Sequence, residues 1–294
     1  MGPLQRNLSV ETGGRLLEAA FALGVNFVDT AESYANYPHL RWALDRGWSD
    51  RVYVASKSYA VTADQMERSV SQALRALGRQ YIDIFLLHEQ ESGLTLKGHE
   101  QALQYLWRAK EQGLVRAVGI STHAVACVRS AALHPLVEVI HPLFNRVGLG
   151  IVGGGAAEML AAIQFAHQMG KGIYGMKALA GGHLFQDVPT ALQFVLDVPE
   201  LAAVAVGMQS EAELLANLSL FAGQPVPDEL QSVLCRQPRQ LHVEDWCTGC
   251  GTCLSACKSG ALRIVDGRVQ VDDTRCLFCG YCGRVCPDFC LKVI

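Results

Sequence analysis

The chain has 294 residues, half of them hydrophobic and 18% charged, with a formal net charge of -3. That length suits one large α/β domain plus a small module, and the charge balance points away from nucleic acid and from an anionic membrane surface. No apolar run is long enough to span a bilayer, and the opening MGPLQRNLSVETGG lacks the basic start and apolar core of a secretory signal, so the expected compartment is the cytoplasm.

Taken in chain order, short β-branched runs fall at residues 25–28, 52–55, 82–87, 115–119, 137–140, 173–176 and 202–206. Amphipathic patterns lie between them: 10–23, 63–77, 100–112, 156–169 and 211–221. Strands alternating with helices build βαβ units and a parallel sheet. The rhythm predicts a (β/α)8 TIM barrel whose first strand is missing or truncated, since only Met1–Leu4 precede the first helix by more than a few residues. An open, doubly wound sheet is the alternative, but no Gly-x-Gly-x-x-Gly turn follows the first strand.

Residues 222–245 carry Pro225, Pro227 and Pro238 among polar residues and read as a linker with one short helix. The expected domains are therefore a barrel over 1–221, a linker over 222–245 and an α+β module over 246–294. Eight of the eleven cysteines fall in that module as two copies of one pattern: Cys247-x2-Cys250-x2-Cys253-x3-Cys257, then Cys276-x2-Cys279-x2-Cys282-x3-Cys286 followed by Pro287. Thiolates are the usual ligands of iron–sulfur clusters, and this is the spacing of bacterial two-cluster ferredoxins, in which the fourth cysteine of each run ligates the other cluster. The assignment is Cys247, Cys250, Cys253 and Cys286 to one 4Fe–4S cluster, and Cys276, Cys279, Cys282 and Cys257 to the second. Zinc needs only paired cysteines and leaves the third of each triplet and the duplication unexplained, and a disulfide framework does not suit a reducing compartment. So small a module holds few apolar residues, and the clusters are expected to stabilise it. Cys127, Cys235 and Cys290 are left over, as core, linker and packing thiols.

Four ionisable residues fall at or just beyond the ends of successive barrel strands: Asp29 and Tyr34 in VDTAESY, Lys57 in VYVASKS and His88 in IDIFLLHEQ. Loops at that end of a barrel approach ligands while the strands hold them rigid. A phenol, with an ordinary pKa of about 10, is a weak acid at neutral pH. An ammonium beside it favours the phenolate, an aspartate keeps the lysine charged, and a histidine orients the oxygen or relays the proton.

These segments resemble the aldo-keto reductase family from about Val10 to Phe221, with GLVRAVGIST similar to its cofactor-side strand and VGMQSEAELLANL to its final loop and helix. The resemblance implies Tyr34 as general acid in a tetrad with Lys57, Asp29 and His88. It further implies a nicotinamide cofactor giving hydride to a carbonyl carbon, with Ser121 and Asn145 at the nicotinamide amide and Asn217 at adenine. Three departures stand out. Met176 or Lys177 occupies the place of an aromatic that usually stacks on the nicotinamide. His141 replaces a common glutamine. Gly207, Met208 and Glu213 stand where NADP-selective members carry basic residues, which favours NADH.

The expected function is thus a nicotinamide-dependent reduction of a small-molecule aldehyde or ketone, with an iron–sulfur module that docks a redox partner protein. The alternative is an electron carrier or redox sensor whose barrel binds a ligand or receives electrons from the clusters. Hydride carries two electrons and each cluster takes one, and no flavin motif bridges them. Lys177 lies at a strand end without an assigned role. His39, His99, His123, His134, His167, His183 and His242 show no metal-ligand spacing and read as surface or packing residues.

Overall fold

Each β-branched run of the first 206 residues forms a strand, and the helical patterns between them form helices. The computed structural model describes residues 8–236 and 239–294. The strands are β1 (Phe27–Asp29), β2 (Tyr53–Ser58), β3 (Ile82–Leu87), β4 (Val115–Thr122), β5 (Val139–Pro142), β6 (Gly172–Met176) and β7 (Ala203–Ala205), hydrogen-bonded in sequence order. Every neighbouring pair is parallel, for example Lys57 opposite Leu86 and Ser121 opposite His141. Strands β2 and β4 run three residues beyond their β-branched cores, because pairing to β3 and β5 continues through Ser58 and Thr122.

Local signals account for the helices. The helix Ala63–Leu77 starts at a capping box, with Thr62 accepting from the Gln65 N–H, and ends at Gly78 in left-handed backbone. It buries Met66, Val70, Ala73 and Leu77, one stripe at helical spacing, against the sheet.

The seven strands form a nearly closed barrel. Strands β1 and β7 are edges, and the seam between them is a cavity of about 430 Å³ lined by Leu17, Phe21, Val28, Val204, Leu218 and Phe221 among others. Among the described residues no eighth strand fills it. The strand expected over Met1–Leu4 lies outside the described residues.

The chain continues through the helix Asp228–Arg236 into β8 (Leu241–Val243), which pairs antiparallel with the last strand, β11 (Leu291–Val293). Pro238 lies outside the described residues. Between β8 and β11 a hairpin of β9 (Leu262–Val265) and β10 (Arg268–Val271) separates two cysteine loops, each running into a short helix, Thr252–Ala256 and Tyr281–Arg284. The internal repeat is present in the backbone: Gly249 and Phe278 have φ of 64° and 51°, Gly251 and Gly280 of 80° and 77°. The module's sheet thus begins at Leu241, inside the segment read from sequence as linker.

The module sits on the loop after β6. The Gly182 α-carbon lies so close to the Val293 carbonyl that a methyl there would overlap it, and His183 Nε2 bonds the Leu291 carbonyl at 2.9 Å. Phe289 is buried against Leu149, Ala180 and Leu184. Phe185 meets Phe278 edge to face.

Candidate functional site

Asp29 ends β1, Lys57 lies in β2, His88 follows β3, and Tyr34 closes the short helical turn Glu32–Tyr34 that leaves β1. That turn stops at Ala35 in left-handed backbone, which turns Tyr34 back over the barrel. All four residues therefore meet at one end of the sheet. Lys57, fully buried, donates to Asp29 Oδ2 at 2.6 Å and to the Thr30 carbonyl at 2.7 Å. Its ammonium lies 5.0 Å from the Tyr34 ring centroid. The Tyr34 hydroxyl meets His88 Nε2 at 3.4 Å.

The charges follow from burial and pairing. Burial pushes the Asp29 carboxyl up, but the Lys57 ammonium and then His141 more than offset it and hold it down to about 2. Burial, then Lys57, hold His88 well below the usual imidazole range, so it is neutral, and its Nδ1 has no hydrogen-bond partner. Tyr34 departs from expectation. Burial first, then Asp29 and Glu89, push its phenol well above the usual value. Tyr34 is therefore a protonated phenol, and its acidity is not raised by the lysine alone.

Two further sets of side chains complete the mouth, and of these Tyr174, Tyr59 and Glu89 were not singled out from sequence. Beneath the tetrad, the Tyr174 hydroxyl donates to Asp29 Oδ1 at 2.9 Å, and His141 stacks on Tyr174 with centroids 3.8 Å apart. Around the rim, Tyr59 stacks on His88 at 4.4 Å and donates to Glu89 Oε2 at 2.5 Å. Glu89 lies 3.6 Å from His123 Nε2, which accepts from Lys177 at 2.9 Å. The signal for this rim was the one that found the tetrad, since each residue stands within three positions of a strand's end. His123 is thus part of the mouth, not a surface or packing residue.

The three expected cofactor residues are not gathered in one place. Ser121 Oγ accepts from the Glu89 N–H at 2.9 Å, and the Asn145 amide clasps the Leu149 backbone at 3.0 Å on both its nitrogen and its oxygen. Each keeps a proton to offer, the Ser121 hydroxyl and the second Asn145 amide hydrogen, which fits a ligand amide above β4 and β5. Asn217 lines the open seam between β1 and β7. Glu213 accepts from the Gln209 N–H and faces Arg239 at 3.6 Å, so a cation offsets the repulsion expected from this acid.

In the module, Cys247, Cys250, Cys253 and Cys286 line one cavity together with Cys290. Burial and then the neighbouring Cys286 push the Cys253 thiol up to about 11. The other four cysteines face one another: burial, then Cys257 and Cys279, push the Cys276 thiol up, and burial with Cys253, Cys276 and Cys279 carries Cys282 up to about 12. The last cysteine of each run thus sits with the other run's triplet. Cys127 is buried in the barrel and Cys235 is exposed.

Two family models match this chain: the aldo/keto reductase family over residues 2–190 and the 4Fe-4S dicluster domain over residues 240–287. An aldo-keto reductase of Mycolicibacterium smegmatis is 27% identical over 243 residues, covering 77% of this chain and 82% of its own. Methylglyoxal reductase DkgB of Salmonella typhi is 29% identical over 119 residues, and the match spans 39% of this chain and only 44% of that reductase. Among solved structures, an aldo-keto reductase from Pseudomonas aeruginosa superposes with a TM-score of 0.63 at 25% identity, over 74% of this chain and 84% of its own. One from Bacillus halodurans, 18% identical, shares the fold with a TM-score of 0.61 over 76% and 86%. The fold and mouth define an aldo-keto reductase barrel. The chain belongs to the aldo/keto reductase family and carries a 4Fe-4S dicluster domain at its C-terminal end. Among the described residues no helix is long and apolar enough to cross a membrane.

Proposed function

We propose that this chain is a cytoplasmic, nicotinamide-dependent oxidoreductase that reduces the carbonyl of a small molecule, with Tyr34 as proton donor. The observation that carries this reading is the meeting of Tyr34 and His88 above a buried Lys57–Asp29 pair at the barrel mouth. A bound nicotinamide supplies hydride to the carbonyl carbon. The developing oxyanion needs a proton, and the Tyr34 hydroxyl offers one, beside the neutral His88 imidazole that orients it. Negative charge left on Tyr34 is favoured by the Lys57 ammonium, which Asp29 and the Thr30 carbonyl hold in place. Ser121 and Asn145 would hold the nicotinamide amide. Arg239 beside Glu213 removes the basis for preferring NADH, and we leave the dinucleotide as NAD(P)H.

Cys247, Cys250, Cys253 and Cys286 would hold one 4Fe–4S cluster and Cys257, Cys276, Cys279 and Cys282 the other, exchanging single electrons with a redox partner at the exposed Leu277–Cys279 rim. One observation favours a second reading, in which the module and the barrel site are coupled electronically: Asp288 and Cys290 line a cysteine cavity while Phe289 between them enters the barrel mouth.

Anaerobic mixing of cluster-replete protein with NADH or NADPH, without and then with a carbonyl panel, separates the two. Carbonyl-dependent nicotinamide oxidation with silent cluster EPR, lost at least 100-fold in Tyr34→Phe, is the expected result. Cluster reduction by nicotinamide alone would establish the coupled reading. Absence of both signals would sink the nicotinamide assignment.

A further inference from the structure

The barrel and the module meet over one aromatic ring. Phe289, three residues beyond Cys286, is 4% exposed, and two ammonium groups address its ring. Lys177, from the end of β6, stands 4.6 Å from the ring centroid, and Lys292, from β11 of the module, stands 3.3 Å from it. Among the described residues neither lysine forms an ion pair with a carboxylate. Lys177 donates to His123, and Lys292 donates to the Phe289 carbonyl. Glu244, 1% exposed, lies 3.4 Å from His242, and neither of its oxygens is hydrogen-bonded. Lys177 and Phe289 both hold left-handed backbone, with φ of 59° and 49°, a conformation that a β-carbon disfavours and that concentrates at functional sites.

With two lysine nitrogens on one ring, charge on either opposes charge on the other, and the ring attracts each without neutralising it. An anion between them relieves that repulsion. We propose that the Lys177–Phe289–Lys292 junction binds a carboxylate carried by the substrate, so that the carbonyl compounds reduced here are oxo acids. This rests on the reductase reading above. Lys177 is part-exposed and meets the carboxylate; Lys292 lies buried on the same ring. Direct contacts run from Lys177 through His123, Glu89, Tyr59 and His88 to Tyr34, which puts the acid's site and the carbonyl's site on one rim. The phosphates of a dinucleotide share the chemistry of anionic oxygen. The carboxylate is favoured because those contacts join the junction to Tyr34, whereas Asn217 and Glu213 belong to the helix after β7, with Asn217 on the seam.

The test uses the full chain with both clusters. Oxamate, an oxo-acid mimic that is not reduced, its neutral diamide oxamide, and inorganic pyrophosphate are titrated by calorimetry. Oxamate is expected to bind and oxamide not to. Lys177→Gln is expected to weaken oxamate at least about 10-fold, and Lys177→Arg to restore most of the loss. In turnover, the ratio of kcat/KM for a 2-oxo acid to that for its methyl ester is expected to fall about 30-fold in Lys177→Gln. Equal binding of oxamate and oxamide by the unaltered protein overturns the proposal without any variant. Lys177-dependent binding of pyrophosphate but not oxamate overturns it in favour of the dinucleotide. If no carbonyl is turned over yet oxamate binds through Lys177, the reductase reading fails and the anion site stands. Tyr34-dependent turnover with no preference for the acid sinks the site and leaves the reductase.

Discussion

Asp29 concentrates more chemistry than any other residue of the mouth. It receives Lys57 on one oxygen and Tyr174 on the other, with His141 at 3.7 Å. Replacing it by asparagine leaves the Lys57 ammonium buried without a counter-charge, which costs about 3–5 kcal/mol or drives the lysine neutral. Asp29→Asn is therefore expected to lower the midpoint of thermal unfolding and to reduce Tyr34-dependent turnover at least 100-fold, read by calorimetry and by nicotinamide oxidation. Lys177 gives a pH dependence. Burial pulls its ammonium down to about 8, against Glu89 and Glu244, which raise it, and with Lys57, which lowers it further. Burial and then Lys177 hold His123 well below the imidazole range and Lys292 well below the usual lysine value. Lys177 is charged below about 8 and neutral above. Affinity for oxamate is expected to fall as the pH rises through that value, and Lys177→Arg, whose guanidinium stays charged, should flatten the fall.

At the level of elements, two contacts decide how the halves work together. The first is the approach of the Ala180–Gly182 turn to β11. Gly182 holds φ of 85° and abuts the Val293 carbonyl, so Gly182→Ala meets both strain and overlap. The variant is expected to keep its iron but release the module from the barrel, seen as faster limited proteolysis between residues 222 and 240. Retention of native protease resistance would mean that docking rests elsewhere. The second is the seam between β1 and β7. The βαβ rhythm announces a barrel one strand short, and the seven strands pair in that order. What the rhythm does not announce is that the seam becomes an apolar cavity with Asn217 on its wall. A helix's polar residue reads alike from sequence whether it faces a cofactor or a gap.

For the whole molecule, the crossing of the cysteine runs predicts a non-additive pattern. If Cys257 belongs with Cys276, Cys279 and Cys282, then Cys257→Ser and the double variant Cys257→Ser/Cys279→Ser lose the same half of the iron. If each run kept its own cluster, the double variant would lose both, and iron analysis with EPR decides between them. The crossing is what the two-cluster ferredoxin spacing implies, and Cys286 lines one cavity with Cys247, Cys250 and Cys253.

By itself the sequence determined the elements of local origin: strands from β-branched runs, the helix from Thr62 to Gly78 from its caps, and the tetrad from strand ends that all barrels bring to one face. It also implied the cysteine partition, through the two-cluster ferredoxin spacing. Tertiary structure alone decided what depends on contacts between distant segments. It brought Tyr174 under Asp29 across 145 residues. It also set Phe289 and Lys292 of the module on Lys177 of the barrel. Periodicity and spacing carry no record of such encounters, since they arise only when two independently specified pieces are packed against each other.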